Sequence, residues 1–191
     1  MTELLSVKGI AKSFDGTAVL RDITFSIAPG EPVGLFGPNG SGKTTLANVL
    51  SGLLPPDRGT IAFEGRDITP LPMDSRYRLG IARTFQIPHP YPSLTVREAV
   101  QVALSASRGA AGPPAETGSE GVDGLLSRVG LFGQRFLPCD RLSQGCLRRL
   151  EFGRALACRP KLLVLDEVFS ALSAADEEEL ITLLRAANRE G

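Results

Sequence analysis

Gly37-Pro38-Asn39-Gly40-Ser41-Gly42-Lys43-Thr44 satisfies the pattern G-x-x-x-x-G-K-[ST] at every fixed position. Glycines at this spacing let the backbone curl until successive N–H groups face inward, an arrangement that suits phosphate oxygens. Lys43 adds a point charge for the β- and γ-phosphates, and the Thr44 hydroxyl can ligate Mg²⁺. Thr45 follows in the same turn. A helix opening here adds the positive end of its dipole to the same anion. Further along, Leu162-Leu163-Val164-Leu165 runs into Asp166-Glu167. The apolar residues bury a strand and aim Asp166 at a metal, while Glu167 stands where it can polarise an attacking water. Together these residues predict a site for a nucleoside triphosphate.

Such a loop works only between a strand and a helix. Residues 32–36 read as a short apolar strand, and residues 44–54 as a helix with Leu46, Val49, Leu50 and Leu53 on one face. Upstream, residues 4–27 are strand-rich, and residues 22–27 alternate polar with apolar as a half-buried strand does. Residues 60–64 with Gly65 read as an antiparallel strand and its turn. Pro88, Pro90 and Pro92 make residues 87–93 an extended connector. A helix is predicted over 95–105, with Thr95 as N-cap and Glu98 completing a capping box. Residues 108–121 read as a mobile loop of Gly, Ala, Pro and Ser, and order returns at 122–129. A long helix follows Ser143, and residues 161–165 form a buried strand. Ser173 and Asp176 cap the last helix, where Leu180, Leu183, Leu184 and Ala187 share a face.

A chain of 191 residues suits one domain, and 42% hydrophobic content excludes wholesale disorder. Basic and acidic residues balance at 21 each, which argues against a globally basic nucleic-acid binder. No apolar run approaches the ~18 residues of a membrane span, and the start lacks a secretory signal. Cys139, Cys146 and Cys158 are odd in number and form no C-x-x-C pair, so reduced thiols in an intracellular protein are expected.

Leu142-Ser143-Gln144-Gly145-Cys146, followed by Leu147-Arg148-Arg149-Leu150-Glu151, resembles the LSGGQ signature of ATP-binding-cassette ATPases. With the phosphate loop before it and LLVLDE after it, the resemblance covers nearly the whole chain. It implies an α/β fold: a P-loop NTPase core with an N-terminal antiparallel β subdomain and an inserted α-helical subdomain at about residues 88–150. Residues 1–191 would then form a single nucleotide-binding domain. ATP and Mg²⁺ are the implied cofactors, and two cassettes would sandwich two ATP molecules. Ser143 and Gly145 of one subunit would cap the γ-phosphate held by the other, and the hydroxyl, N–H and helix end agree with an anion site. Outside this context, the same residues read as a plain N-cap.

Other positions match by the same resemblance. Phe14 is similar to the aromatic that stacks on adenine, with a core strand aromatic as the alternative. Gln86, in Arg83-Thr84-Phe85-Gln86, resembles the glutamine that senses Mg²⁺ and the attacking water; a solvated Gln is the plain alternative. Ser170-Ala171-Leu172-Ser173 takes the place of the SALD loop that crosses the dimer interface. Three departures stand out. Cys146 replaces the signature glutamine, Ser173 replaces the usual acid, and the switch histidine is missing. The lone histidine, His89, lies in the Pro-rich connector, where a surface or packing role is expected.

RTFQIPHPYPSLTVREAV and LDEVFSAL resemble the cassettes of branched-chain and hydrophobic amino-acid importers. The implied protein energises such an importer, with transmembrane permease subunits as partners and no nucleic acid. Its place would be peripheral, on the cytoplasmic face of the membrane. Two alternatives are a nucleotide-binding but catalytically impaired fragment and a soluble cassette ATPase without a permease. The latter usually carries coiled-coil insertions or tandem cassettes, and neither is present. A kinase or GTPase would not need LSQGC, and no N-K-x-D base-recognition sequence occurs. In the resembled family a strand and a histidine follow the last helix, between the phosphate-loop strand and the strand ending in Asp166. The chain is therefore expected to be incomplete at its C-terminus, with marginal folding and poor turnover of these 191 residues alone.

Overall fold

Local turn chemistry builds the first sheet. Strands β1 (Leu5–Phe14) and β2 (Thr17–Ile27) form an antiparallel hairpin that reverses at Asp15-Gly16. Both turn residues have positive φ, 48° and 78°, which suits a tight two-residue connection. The alternation of residues 22–27 is kept, with Ile23, Phe25 and Ile27 half-buried and their polar neighbours exposed. Strand β3 (Arg58–Phe63) pairs with the other edge of β1, and β4 (Arg66–Asp67) returns after the turn at Glu64-Gly65. The resulting antiparallel order is β2-β1-β3-β4. Leu5, Val7, Ile10, Leu20, Ile61 and Phe63 are buried, as are Leu46 and Val49 of helix α1 (Lys43–Ser51).

The computed structural model describes residues 3–84, 93–110, 121–170 and 172–190. The described residues divide into two compact units, one up to Ile81 and one from Ala82 to Glu190. Gln86, His89 and the Pro-rich connector up to Pro92 lie outside the described residues.

Two expectations for the first unit need correction. Residues 32–36 form no strand, and Val33, Leu35 and Phe36 are exposed, Phe36 to 92%. An apolar run becomes a strand only when a neighbour supplies the ladder of hydrogen bonds. Among the described residues no strand pairs with this one. Helix α1 also ends three residues early. Its last carbonyls are capped by Gly52, which lies in the left-handed region and donates its N–H to Asn48 O and Val49 O, so Leu53 falls beyond the helix and is exposed. Helix α2 (Met73–Arg78) packs beside α1.

The second unit is mainly helical. Helix α3 (Val96–Ala110) starts at the expected capping box: the Glu98 N–H donates to Thr95 Oγ1 at 3.3 Å, and the Thr95 N–H donates back to Glu98 Oε2 at 2.7 Å. It runs five residues past the expected end, into the segment read as a loop; residues 111–120 lie outside the described residues. Helices α4 (Val122–Arg128), α5 (Gln144–Leu156) and α6 (Ala174–Glu190) complete the unit. Strand β5 (Ile81–Arg83) pairs with β6 (Leu162–Val164) in a two-stranded sheet. Strand β6 is half-buried, where full burial was expected. Val96, Val100, Leu126, Val129, Leu131, Leu150, Phe152 and Leu180 form the core, with Leu183, Leu184 and Ala187 packed on it as their spacing requires.

The capping box carries a pH prediction. Hydrogen bonds from Thr95, backbone N–H first and hydroxyl second, hold the Glu98 carboxyl below its ordinary value of 4.5. A lowered folded pKa means stability present above the unfolded value and lost as pH falls through the folded one. Thermal melts of the wild type and Glu98→Ala should therefore differ at pH 7 and converge as the pH drops below about 4.5. An unchanged gap at pH 3 would show that the carboxylate contributes nothing.

Candidate functional site

The phosphate loop is irregular and exposed from Gly37 to Ser41, and it feeds directly into α1. Gly40 and Gly42 have φ of 80° and 92°. A Cβ on Gly42 would come within 3.0 Å of Leu20 Cδ2 and 3.2 Å of the Val19 carbonyl oxygen, so this corner needs glycine for space as well as conformation. The Ser41 N–H donates to Pro38 O at 3.2 Å, and the Leu46 N–H donates to Gly42 O at 2.8 Å, which closes the first helical turn. Lys43 Nζ donates to the carbonyls of Gly37 and Pro38, both at 2.8 Å. The ammonium is therefore folded over its own loop, in which Asn39 is exposed. No acidic residue lies in the first turn of α1, while Thr44 and Thr45 are half-buried there. A curled, glycine-bearing loop with a lysine and an acid-free helix end fits a polyphosphate.

Phe14 closes β1 and is 41% exposed, so it is not a core aromatic. Lys12 Nζ lies 5.7 Å from its ring centroid. Asp57 anchors this corner by accepting from Lys12 Nζ at 2.8 Å and from the Ser13 N–H at 2.7 Å. Those bonds, the lysine's first, hold its carboxyl below the usual range.

In the second unit Asp166 is buried against Arg83, whose Nη2 donates to Asp166 Oδ2 at 3.1 Å. The two side chains are 3% and 6% exposed. Sequence reasoning missed Arg83 as a partner, because only the pairing of β5 with β6 brings it to Asp166. Glu167 follows, exposed and with a left-handed φ of 47°. Among the described residues no cluster of three or more His, Cys, Asp or Glu side chains could hold a metal. That donor set suits Mg²⁺ brought by phosphate oxygens, which needs only one or two carboxylates from the protein.

Ser143 is the N-cap of α5, and its Oγ accepts the Cys146 N–H at 3.3 Å. Gly145 is buried in the first turn, and a Cβ there would overlap the Asp176 carboxylate of α6. The Cys146 thiol stands where the signature has glutamine. Its Sγ accepts from Arg149 Nη2 at 3.2 Å, and Arg149 Nη1 also pairs with Glu179 at 2.9 Å. All three cysteines are free thiols.

Comparisons with known proteins agree with this arrangement. The family model described as ABC transporter matches residues 20–170. A probable ABC transporter ATP-binding protein of Azorhizobium caulinodans is 37% identical over 95% of this chain and 63% of its own length. The lipopolysaccharide export system ATP-binding protein LptB of Acidithiobacillus ferridurans is 38% identical over 97% of this chain and 75% of its own. The sulfate/thiosulfate import ATP-binding protein CysA of Mycobacterium bovis is 39% identical, over 97% of this chain and 51% of its own. The chain thus spans between half and three quarters of these relatives. A solved nucleotide-free ATP-binding cassette from an ABC transporter superposes with a TM-score of 0.86 at 29% identity, covering 99% of this chain and 78% of that one. The ADP conformation of an ATP-binding cassette gives 0.85 at 29% identity, covering 100% and 79%. The fold is therefore the α/β P-loop architecture of an ATP-binding cassette, with its antiparallel sheet and helices. On the family match and the fold together, this chain belongs to the ABC transporter family of ATP-binding proteins.

Proposed function

We propose that this chain is an ATP-binding and ATP-hydrolysing subunit that works as one of two cassettes under transmembrane permease subunits, at the cytoplasmic face of a membrane. The observation that carries the reading is the phosphate loop: its positive-φ glycines, the acid-free start of α1 and Lys43 Nζ held at the loop mouth. Residues 37–45 bind the β- and γ-phosphates through Lys43 and the N–H groups of every loop residue except Pro38, and Phe14 stacks on the adenine. Glu167 polarises the attacking water, with Gln86 sensing it. Ser143 and Gly145 cap the γ-phosphate of the partner cassette. Thr44, Asp166 and Gln86 are the proposed protein ligands of Mg²⁺, which neutralises charge on the transferred phosphoryl group.

The permease attachment is carried by relatives that are themselves transporter subunits, and no helix among the described residues is long and apolar enough to cross a membrane. For the cargo we propose an amino acid, on the sequence RTFQIPHPYPSLTVREAV and LDEVFSAL alone. Relatives named for sulfate, thiosulfate or lipopolysaccharide show that one cassette type serves different cargoes.

One observation favours a second reading, a cassette that binds without turnover: Cys146 and Ser173 depart from the signature and crossing-loop residues. Calorimetric titration with ATP, with and without Mg²⁺, followed by a phosphate-release assay, separates the two. Binding with release supports the first reading, binding without release selects the second, and no binding overturns both.

A further inference from the structure

The second unit contains a contact that neither the motif nor the family match assigns. Arg148, on α5 three residues after Gly145, is 8% exposed, and its Nη2 donates to Ser170 Oγ at 3.0 Å. The Ser170 hydroxyl in turn donates to the Glu167 carbonyl at 2.8 Å, and the Ser170 N–H donates to the same oxygen at 3.0 Å. The hydroxyl thus uses its proton toward Glu167 and a lone pair toward Arg148, a pattern one hydroxyl can satisfy in full. Glu167 sits at the head of this turn with φ 47°, a conformation that a non-glycine residue keeps only when its surroundings hold it. Burial draws the Arg148 pKa down, and the charges of Glu151 and Glu167 push it back up, so the guanidinium also feels the Glu167 carboxylate.

We propose that Arg148 is a positioning residue for Glu167: from the helix that opens with Ser143 and Gly145, it fixes the Glu167–Ser170 turn through the Ser170 hydroxyl and so sets the backbone that aims the Glu167 carboxylate. The inference rests on the reading of Glu167 as the group that polarises water. It gives one chain a direct mechanical link between the signature helix and its own hydrolytic residue. Since the signature is proposed to contact the partner's ATP, closing on that ATP and aiming Glu167 become coupled through Arg148.

The test uses Arg148→Met, Ser170→Ala, their double variant and Ser170→Thr in the full chain. Where ATP is turned over, kcat should fall about tenfold in each of the first two, with KM within about twofold. The double variant should be no slower than either single one, and Ser170→Thr should recover most of the rate. Multiplicative losses in the double variant, or a KM that rises with the fall in kcat, would overturn the inference. Hydrogen exchange supplies a readout that needs no turnover. The Ser170 amide should exchange about tenfold faster in Arg148→Met and in Ser170→Ala, with α3 amides unchanged. An unchanged Ser170 amide overturns the inference whether or not ATP binds. Absence of ATP binding by the unaltered chain overturns the nucleotide reading instead. If Arg148→Met does not fold, Ser170→Ala and Ser170→Thr carry the comparison.

Discussion

Replacing Arg76 by methionine is expected to destabilise the first unit by ~3–5 kcal/mol, a large share of the ~5–15 kcal/mol that holds a domain together. Arg76 is 1% exposed and donates only to backbone. Its Nε reaches Leu71 O at 2.9 Å, Nη1 reaches Val49 O at 2.8 Å and Leu50 O at 2.9 Å, and Nη2 reaches Thr69 O at 3.1 Å. Val49 and Leu50 belong to the last turn of α1, where the helix dipole is negative and carbonyls lack the usual i+4 donors, although Val49 O also accepts the Gly52 N–H at 3.2 Å. A guanidinium suits that end because one planar fork serves several acceptors. Burial draws its pKa down, and the Asp67 charge acts in the opposite sense. Methionine keeps comparable bulk but abandons these acceptors; Val49 O keeps the Gly52 N–H, and each acceptor left buried without a partner costs ~1–3 kcal/mol. Lysine should recover only part of the loss, since it carries charge without the fork. Urea unfolding followed on the N-terminal unit measures this. A loss below about 1 kcal/mol would mean that water or a rearranged loop serves the carbonyls instead. The same helix opens at the phosphate loop, so a weakened clamp at its far end should also lower ATP affinity.

Lys43→Ala should reduce ATP affinity by about 10–100-fold while leaving stability within ~0.5 kcal/mol. A hydrogen bond to a charged group contributes ~1.5–3 kcal/mol, and each ~1.4 kcal/mol is tenfold in affinity. Lys43 Nζ donates to the carbonyls of Gly37 and Pro38. Those contacts are exposed, so removing them costs the fold little. Phosphate offers the same ammonium a full negative charge, and exchange of carbonyls for phosphate is the gain that alanine forfeits. Calorimetry on both proteins decides it. Equal affinities would remove the phosphate assignment from Gly37–Thr44 altogether.

What was legible in the sequence was local. The turn at Glu64-Gly65, the capping box of Thr95 and Glu98, and the caps at Ser143 and Ser173 each involve groups at most a few residues apart. The phosphate loop belongs to the same class, because its curl, its lysine and the start of α1 are contiguous. Chain geometry alone brings such groups together, and residue type then decides the bond. Residues 32–36 mark the limit of that logic: apolar composition reads as a strand, yet strand state depends on a neighbour that composition cannot supply. The buried arginines lie wholly beyond it. Arg76 reaches Val49 across 27 residues, Arg83 reaches Asp166 across 83, and Arg148 reaches Ser170 across 22. In sequence each is one cation among many, indistinguishable from a solvated surface charge. Only packing removes water from these three, and a buried guanidinium must then find carbonyls, a carboxylate or a hydroxyl close at hand, because leaving it unpaired costs several kcal/mol.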